Sequence, residues 1–414
     1  MSDTANRPSP EQERASYLTK TQVFMLAIAS AVVTANAYYI HPIISLVAKD
    51  FEIDQGMIGI VPAFNQFALA LGILVLLPLG DLVNNKRLTV VSVALQTACV
   101  AGMAFAPGFQ LFLLSSTILG FVTIAPYLLP AYASKRVPAE RLGYVTAVLT
   151  TGIIIGILTA RAAAGVIAEY FGWRTVYFAA ALLMLSVSVF LPMIMERGER
   201  SETQLSASRY AGLLKSIWPL VRKYPQLLIS GSIQGLGFGS FIAIWMGLGL
   251  HLPSDEMGYG VDVVGYLALL AIFSLATTPW LGKWADTFGA RRARVVLAIL
   301  QALAMVLFVF FGHSLWLLII PIVITNMVGP SIDVTGRMTF LSQAAEIRTR
   351  LMTIYIVIMF LGGGLGSWLG TASYDWGGWT STATTVLMMM MMALALAIID
   401  LLIERRAQQA AQSG

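Results

Sequence analysis

Twelve apolar stretches, each about 19 to 26 residues long and separated by short polar loops, dominate this sequence. A helix of about 20 residues crosses the hydrocarbon core of a bilayer, so each stretch is long enough to span a membrane. Because the stretches are apolar throughout, they do not fit β-barrel strands, which alternate apolar and polar residues. We number them spans 1 to 12. They cover residues 23–48, 56–79, 88–106, 109–132, 144–168, 175–195, 227–251, 263–281, 293–312, 315–338, 351–373 and 381–402.

The composition supports a membrane location. The sequence is 57% hydrophobic and 11% charged, whereas soluble domains contain about 25% charged residues. The first 20 residues are polar. The apolar stretch that follows is longer than a signal-peptide core and no small-residue cleavage site follows it, so we expect no cleavage. The prediction is an all-α membrane protein with twelve transmembrane helices.

The basic residues lie mainly on one side of the predicted membrane. Of the 26 Lys and Arg residues, 21 fall in the termini or in the loops that follow even-numbered spans. Cytoplasmic loops carry such an excess, so both termini are predicted to be cytoplasmic. This topology accounts for the pI near 9.3. No basic and aromatic patch lies outside the spans, so the lipid bilayer is an expected partner and nucleic acid is not.

A stripe of small residues appears in both halves of the chain. Small residues at every fourth position leave a smooth helix face that a second helix can approach closely. Position 156 maps onto position 362 at an offset of 206 residues, and the pair Gly172-Trp173 maps onto Gly378-Trp379 at the same offset. The stripes comprise Gly152, Gly156, Ala160 and Ala164 in span 5, and Gly362, Gly366 and Gly370 in span 11.

This repeat predicts two pseudo-symmetric six-helix bundles. We expect a cytoplasmic tail at 1–20, a first bundle at 21–195, a linker at 196–226, a second bundle at 227–403 and a cytoplasmic tail at 404–414. The linker is basic, and its leucine and isoleucine spacing predicts an amphipathic helix along the inner leaflet.

Arg161 interrupts the repeat, because the equivalent position in span 11 is Ser367. An arginine near the middle of a span costs about 2.5–3.5 kcal/mol on insertion scales and generally needs a partner or a watery cavity. One interpretation is that its side chain extends to the outer interface. The interpretation we favour is a cavity-facing cation that binds an anionic or polar substrate group, or that serves coupling.

Other polar residues inside the spans are further candidates for substrate binding or coupling. In span 1 the tyrosines either form an interfacial belt, with the histidine capping the outer end, or face a central cavity. A histidine changes charge near physiological pH and therefore suits proton coupling. The candidates are Asn36, Tyr38, Tyr39 and His41 in span 1, Gln234 and Trp245 in span 7, and Asn326 in span 10.

Acidic residues recur in the loops at the predicted cytoplasmic mouth. Asp81 and Asp286 are 205 residues apart. A carboxylate here would bind a helix N-terminus and basic residues in one conformation and release them in another; the alternative is an incidental acid in an ordinary basic loop. The gate candidates are Asp81, Lys86, Arg87 and Glu140 in the first half, and Gly282, Asp286, Gly289, Arg291 and Arg292 in the second.

Span 10 adds Asp333 and Arg337 to the gate candidates. They are one helical turn apart and can pair on one face. Because they lie near the predicted cytoplasmic end, either a static ion pair or a gate is consistent with this position.

These features resemble the major facilitator superfamily across nearly the whole chain. The segment 282–292 carries that family's loop signature of glycine, aspartate four residues later, a second glycine and basic residues. The resemblance implies a substrate site near the midplane between two bundles, alternating access by rocking, and proton coupling. The span 1 motif at 36–39 and the span 5 motif around Arg161 look like a bacterial branch grouped with drug/proton antiporters. Ile157 departs from that branch, which has a proline there.

Chemistry on a bound substrate is not indicated. The single Cys99 and three scattered histidines give no metal site, and no Ser/His/Asp set or phosphate-binding loop is present. We therefore expect no enzyme activity and no cofactor, with the proton gradient as the energy source. The leading hypothesis is a monomeric transporter in the bacterial inner membrane that exports a small organic molecule. The alternatives are import of an organic anion anchored at Arg161, and a sensor or scaffold that transports nothing.

Overall fold

The computed structural model describes residues 17–80, 82–195, 207–341 and 345–413, and within these ranges it is helical and contains no strand. Each predicted span of the first half is present. Spans 1 to 6 comprise Lys20–Ala35 with Ile40–Asp50, Ile60–Leu79, Asn85–Ala104, Phe109–Val122 with Ala125–Ser134, Ala139–Phe171, and Trp173–Ile194. Two short helices, Ala207–Lys215 and Ile217–Lys223, follow in the linker.

The second half contains the other six spans. Spans 7 to 10 comprise Pro225–His251, then Val261–Ala268 continuing through a 3-10 turn into Phe273–Phe288, then Ala290–Phe311 and Leu315–Leu341. Spans 11 and 12 lie within Ala345–Ser413, where the backbone leaves the helical conformation at Gly377 and Gly378. By length and apolarity, eleven helical stretches of the described chain can cross a membrane, and the last of them contains two spans.

Spans 1 and 4 are each divided into two helices. In span 1 the helix stops at Ala35 and restarts at Ile40. Pro42 has no N–H to donate to the carbonyl of Tyr38, so the helical ladder is interrupted just before the restart. Span 4 stops at Val122 and restarts at Ala125, with a proline at the start of the second piece. Both breaks fall inside the membrane-length segments, where they leave backbone groups near the bundle interface.

The repeated Gly-Trp pair forms the same turn in both halves. Gly172 joins spans 5 and 6 with a φ of 84°, and Gly378 joins spans 11 and 12 with a φ of 63°. Side chains other than glycine rarely adopt positive φ, so the glycine is required at each turn. The tryptophan that follows is buried in each bundle.

The two bundles pack by the same scheme. Spans 1 and 5, 2 and 4, and 3 and 6 are partners in the first bundle; spans 7 and 11, 8 and 10, and 9 and 12 are the corresponding partners in the second. Gly152 and Gly156 lie against the backbone of span 1, and Gly362, Gly366 and Gly370 lie against that of span 7. Between the bundles, span 5 contacts span 8, span 2 contacts span 11, and span 1 contacts span 7.

Candidate functional site: a cavity between the bundles

A cavity of about 770 Å³ lies between the two bundles. Of the described residues, its lining includes side chains from spans 1, 2, 4 and 5 of the first bundle and from spans 7 to 11 of the second. A cavity of this size accommodates a small organic molecule. In the following we call the end of the molecule with the linker helices the linker face, and the other end the opposite face.

Contacts between the bundles close the cavity at the opposite face. Where spans 5 and 8 meet, the Glu169 carboxylate accepts a hydrogen bond of 2.9 Å from the backbone N–H of Val261. One turn away, a Cβ added to Gly165 would lie 2.7 Å from the Val261 carbonyl oxygen, so the two helices touch. Where spans 2 and 11 meet, the Thr371 hydroxyl donates to the carbonyl of Gly56 at 3.1 Å.

The cavity opens toward the linker face. Thr150 and Thr151, which line it on the linker side of span 5, are exposed. The side chains of Asp333 and Arg337 are 21% and 33% exposed, whereas Arg161 is 1% exposed. The lining therefore runs from a closed inner end at Arg161 to an accessible mouth near Arg337.

Arg161 lies at the closed end of the cavity and has no anionic partner within the described part of the chain. The 33-residue helix of span 5 places it ten residues before the helix end. Its Nε, Nη1 and Nη2 atoms are buried and make no hydrogen bond with any residue of the described ranges. The side chain does not reach the surface, which contradicts the interpretation that it extends to the outer interface.

Three aromatic rings surround the guanidinium. The Cζ atom of Arg161 lies 5.0 Å from the ring centre of Tyr38, 4.9 Å from that of Phe241 and 4.7 Å from that of Trp245. A desolvated cation–π contact contributes about 1–2 kcal/mol, so the rings offset a cost of about 3 kcal/mol for the buried charge. They accept none of its five N–H donors as an oxygen would. The charge is tolerated, and its hydrogen-bonding capacity remains unused.

The span 1 candidates divide into two groups. Tyr38 lines the cavity, and its ring centre lies 5.2 Å from that of His41. His41 does not line the cavity, but it is fully buried behind Tyr38 and neither ring nitrogen has a partner among the described residues. Asn36 donates to the carbonyl of Val33, and Tyr39 packs against Tyr177 inside the first bundle.

These positions correct two predictions. The tyrosines are 8% and 6% exposed, so they do not form an interfacial belt. Asn36 and Tyr39 are not part of the cavity lining, because the break in span 1 turns them toward their own bundle.

The candidates of spans 7 and 10 lie at the cavity. Gln234 and Asn326 line it, and Trp245 reaches it through its contact with Arg161. The sequence analysis did not select Gln66 and Gln301, which also line the cavity and whose side-chain carbonyl oxygens are buried without a partner. A lone glutamine inside an apolar span was the available signal for both.

Asp333 and Arg337 form an ion pair at the mouth of the cavity. Arg337 Nη2 lies 2.7 Å from Asp333 Oδ2, and Arg337 Nε donates to Asp333 Oδ1 at 2.9 Å. The Tyr355 hydroxyl donates to the same carboxylate oxygen at 2.9 Å. Two opposite charges in bidentate contact contribute no net charge to the cavity.

Four gate candidates of the second half, Asp286, Gly289, Arg291 and Arg292, line a common pocket. Asp286 is exposed and makes no ion pair with a described residue. Gly289 forms the turn between spans 8 and 9 with a φ of 96°. Gly282 packs near span 10, and Arg292 is exposed. Arg291 binds Asp400 of its own bundle, so it does not link the two bundles here.

The gate candidates of the first half are only partly described. Asp81 lies outside the described residues. The backbone N–H groups of Lys86 and Arg87 donate to the side chain of Asn84, which caps span 3. Glu140 is exposed in the first turn of span 5. A gating role for these residues remains a prediction.

A second buried arginine, which the sequence analysis did not select, lies near the linker face. Arg294 of span 9 is 1% exposed and forms an ion pair with Asp400 of span 12, which is also 1% exposed. Arg294 Nη1 donates to the Ser230 hydroxyl at 2.9 Å. Arg291 joins the same carboxylate at 2.8 Å and reaches Glu404 at 2.5 Å. This network ties spans 7, 9 and 12 together.

Twelve spans in two pseudo-symmetric bundles, with a cavity that is closed at one face and open at the other, define a multi-pass membrane transporter. The chain belongs to the Major Facilitator Superfamily, whose sequence profile matches residues 26–366 and 267–413. It is therefore a transporter and not an enzyme.

Comparisons with individual proteins agree with this family. The chain is 27% identical over 364 residues to the putative uncharacterized transporter YgaY of Escherichia coli, covering 87% of this chain and 91% of that protein. It is 29% identical over 380 residues to the probable transporter SCO4007 of Streptomyces coelicolor, covering 87% and 86%. A 222-residue part, 47% of this chain and 54% of the other, is 29% identical to the multi-drug resistance efflux pump PmrA of Streptococcus pneumoniae.

A solved structure shares the fold. The crystal structure of a bacterial homolog of the human lysosomal transporter Spinster, in an inward-facing and occupied conformation, matches with a TM-score of 0.72 over 95% of this chain and 97% of that chain. At 13% sequence identity, this match supports the fold alone.

Proposed function

We propose that this transporter exports a small organic molecule by alternating access, driven by the proton gradient. It works as a monomer in a bacterial inner membrane, with both termini in the cytoplasm. The main support is the cavity, which has walls from both bundles and a mouth at one face only. The excess of basic residues at the linker face favours the cytoplasm on that side, so the structure corresponds to an inward-facing state.

Alternating access requires the closing contacts to break. The hydrogen bond between Glu169 and Val261 and that between Thr371 and Gly56 both join the bundles at the opposite face. Each is a single hydrogen bond, which contributes about 1 kcal/mol, or somewhat more for the charged acceptor. Contacts of this strength can form and break during a transport cycle.

Export and proton coupling rest on different observations. Export is supported by the efflux function in the name of PmrA, which resembles about half of this chain. Proton coupling is supported by a buried histidine behind the cavity wall and by an aspartate at the cavity mouth. His41 lies behind Tyr38 near Arg161, and Asp333 lies at the mouth.

Import of an organic anion is the second candidate. The observation that favours it is Arg161, whose buried guanidinium has no partner among the described residues. Proton symport with an anion would carry the substrate inward with the gradient, whereas antiport would expel it.

A transport assay in vesicles with an imposed pH gradient separates these functions. The purified full chain is reconstituted, and a panel of organic acids, amines and neutral solutes is screened for gradient-dependent movement. Export by antiport predicts solute movement opposite to the proton flow, and symport predicts movement in the same direction. If no solute of the panel moves faster than in protein-free vesicles, a non-transporting sensor or scaffold is favoured and the proposal fails.

A further inference from the structure

We propose that the cavity takes an amphipathic organic monoanion, whose carboxylate or similar group binds Arg161 and whose apolar body lies against the surrounding rings. This inference rests on the proposed transport function and names its substrate class, independently of the direction of transport.

The sign of the ligand follows from the charges that line the cavity. Only three lining residues within the described chain carry a formal charge at neutral pH, namely Arg161, Asp333 and Arg337. Asp333 and Arg337 neutralise each other in their bidentate pair. The remaining charge of one positive unit is that of Arg161. A ligand with a single negative charge brings the cavity to neutrality, whereas a cation adds a second unpaired charge in a poorly solvated space.

The chemistry of the anionic group follows from the guanidinium. Arg161 offers a planar fork of N–H donors, and none of its three nitrogen atoms has a partner among the residues that the structure describes. Carboxylates bind such a fork with two parallel hydrogen bonds. Buried donors without acceptors are costly, so an oxyanion that supplies two acceptors gains more here than it would at an exposed arginine.

The requirement for an apolar body follows from the rings. Tyr38 and Phe241 line the cavity and also lie over the guanidinium. A ligand that reaches the N–H groups has to displace at least one of these cation–π contacts. A small hydrated ion such as chloride makes no contact that replaces the displaced ring. An apolar or aromatic ligand replaces that contact and also buries its own surface against Phe238 and Phe360.

Two side chains favour a hydrogen-bond donor elsewhere on the ligand. Gln66 and Gln301 line the cavity, and their side-chain carbonyl oxygens lack a partner among the described residues. A ligand hydroxyl or amide N–H can donate to either oxygen. A hydroxylated aromatic acid therefore combines all the features that the lining favours.

The test measures binding by titration calorimetry on the purified full chain in detergent. The probes are three matched pairs of acid and amide: benzoate and benzamide, 4-hydroxybenzoate and 4-hydroxybenzamide, and phenylacetate and phenylacetamide. We expect at least one acid to bind at least about tenfold more tightly than its amide, since a hydrogen-bonded charge pair contributes about 1.5–3 kcal/mol and 1.4 kcal/mol is tenfold. Sodium chloride at the same concentration should not compete.

Variants assign the preference to one side chain. In Arg161→Gln the acid should bind no more tightly than its amide, while Arg161→Lys should keep part of the preference. Arg406→Gln removes an exposed arginine outside the cavity and should keep all of it. Thermal unfolding of each variant confirms that it is folded. The inference is overturned if no acid binds more tightly than its amide, or if the preference survives in Arg161→Gln.

The vesicle assay separates this inference from the proposed function. If an acid binds through Arg161 but no solute of the panel is transported, the proposed transport function is contradicted and the inferred anion site is supported. The opposite outcome is that native protein and Arg161→Gln transport neutral or cationic solutes equally well and transport no acid. That outcome supports the transport function and contradicts the anion site.

Discussion

The two bundles each bury one arginine completely, and they treat the charge in opposite ways. In the second bundle Arg294 is neutralised by Asp400 and bonded to Ser230. In the first bundle Arg161 has three aromatic rings around it and no acceptor among the described residues. A buried charge that holds helices together is paired within the protein. For the unpaired charge of Arg161 at the cavity wall, we propose that the partner is a bound ligand.

Neither arginine is required by the shared fold. At the repeat offset of 206 residues, Ser367 occupies the place of Arg161. At the same offset Ile194 occupies the place of Asp400, and at the offset of 205 residues that relates Asp81 to Asp286, Thr89 occupies the place of Arg294. The same six-helix packing therefore forms without either charge.

The largest effect is expected from breaking the paired network. Asp400→Leu leaves Arg294 as a buried charge whose one remaining acceptor among the described residues is the Ser230 hydroxyl. We expect a loss of about 3–5 kcal/mol in the free energy of unfolding, because removing one partner of a buried pair leaves the other uncompensated. The measurement is denaturant or thermal unfolding in detergent.

An exposed pair serves as the control for this experiment. Arg174 and Asp50 are 2.5 Å apart, with side chains 37% and 42% exposed. Asp50→Leu should cost no more than about 1 kcal/mol, because water solvates the arginine that remains. If both variants lost the same free energy of unfolding, the claim that burial makes the Arg294–Asp400 pair the more important one would be wrong.

A smaller effect of opposite sign is expected at the unpaired arginine. Arg161→Met should raise the stability of the ligand-free protein by about 1–2 kcal/mol, because an apolar side chain of similar length removes the unpaired charge and packs against the same rings. Unfolding of Arg294→Met, measured alongside, should show a loss. A destabilised Arg161→Met would mean that the cation is structural.

The smallest effect concerns the rings around Arg161. A double-mutant cycle with Trp245→Leu and Arg161→Met isolates the interaction between the two side chains. We expect a coupling of about 1 kcal/mol, the lower end of the range for a desolvated cation–π contact. A cycle with Tyr39→Leu in place of Trp245→Leu should give no coupling, since Tyr39 packs against Tyr177. Equal coupling in both cycles would exclude a specific ring contact.

Much of the fold could be predicted from the sequence, because it follows from the lengths of the apolar stretches and from their repeat. The twelve spans could be predicted from segment length alone, and the two-bundle arrangement from the offset between the two small-residue stripes. The break in span 1 could be expected from Pro42, which removes an N–H donor from the helical ladder about one turn before it. Its consequence, that Asn36 and Tyr39 turn away from the cavity, could not be read from composition.

The site could be predicted only in part. Arg161 was identifiable because it stands alone in an apolar span and lacks an equivalent at Ser367. The absence of an acidic partner among the described residues could not be predicted, because it depends on which acidic residues the fold brings near Arg161. Arg294 and Asp400 illustrate the same difficulty. They are 106 residues apart in the sequence, and each lies near a span end, where single charges are common.

Ligand-dependent stability of native protein and Arg161→Met tests the central claim most directly. Thermal unfolding is recorded for both proteins with and without the acid probe that binds best. A ligand that binds only the folded state raises its stability in proportion to binding. The account predicts that Arg161→Met unfolds at a higher temperature than the native protein without the acid, and that the acid raises the unfolding temperature of the native protein alone. A less stable Arg161→Met, together with an equal rise for both proteins, would contradict it.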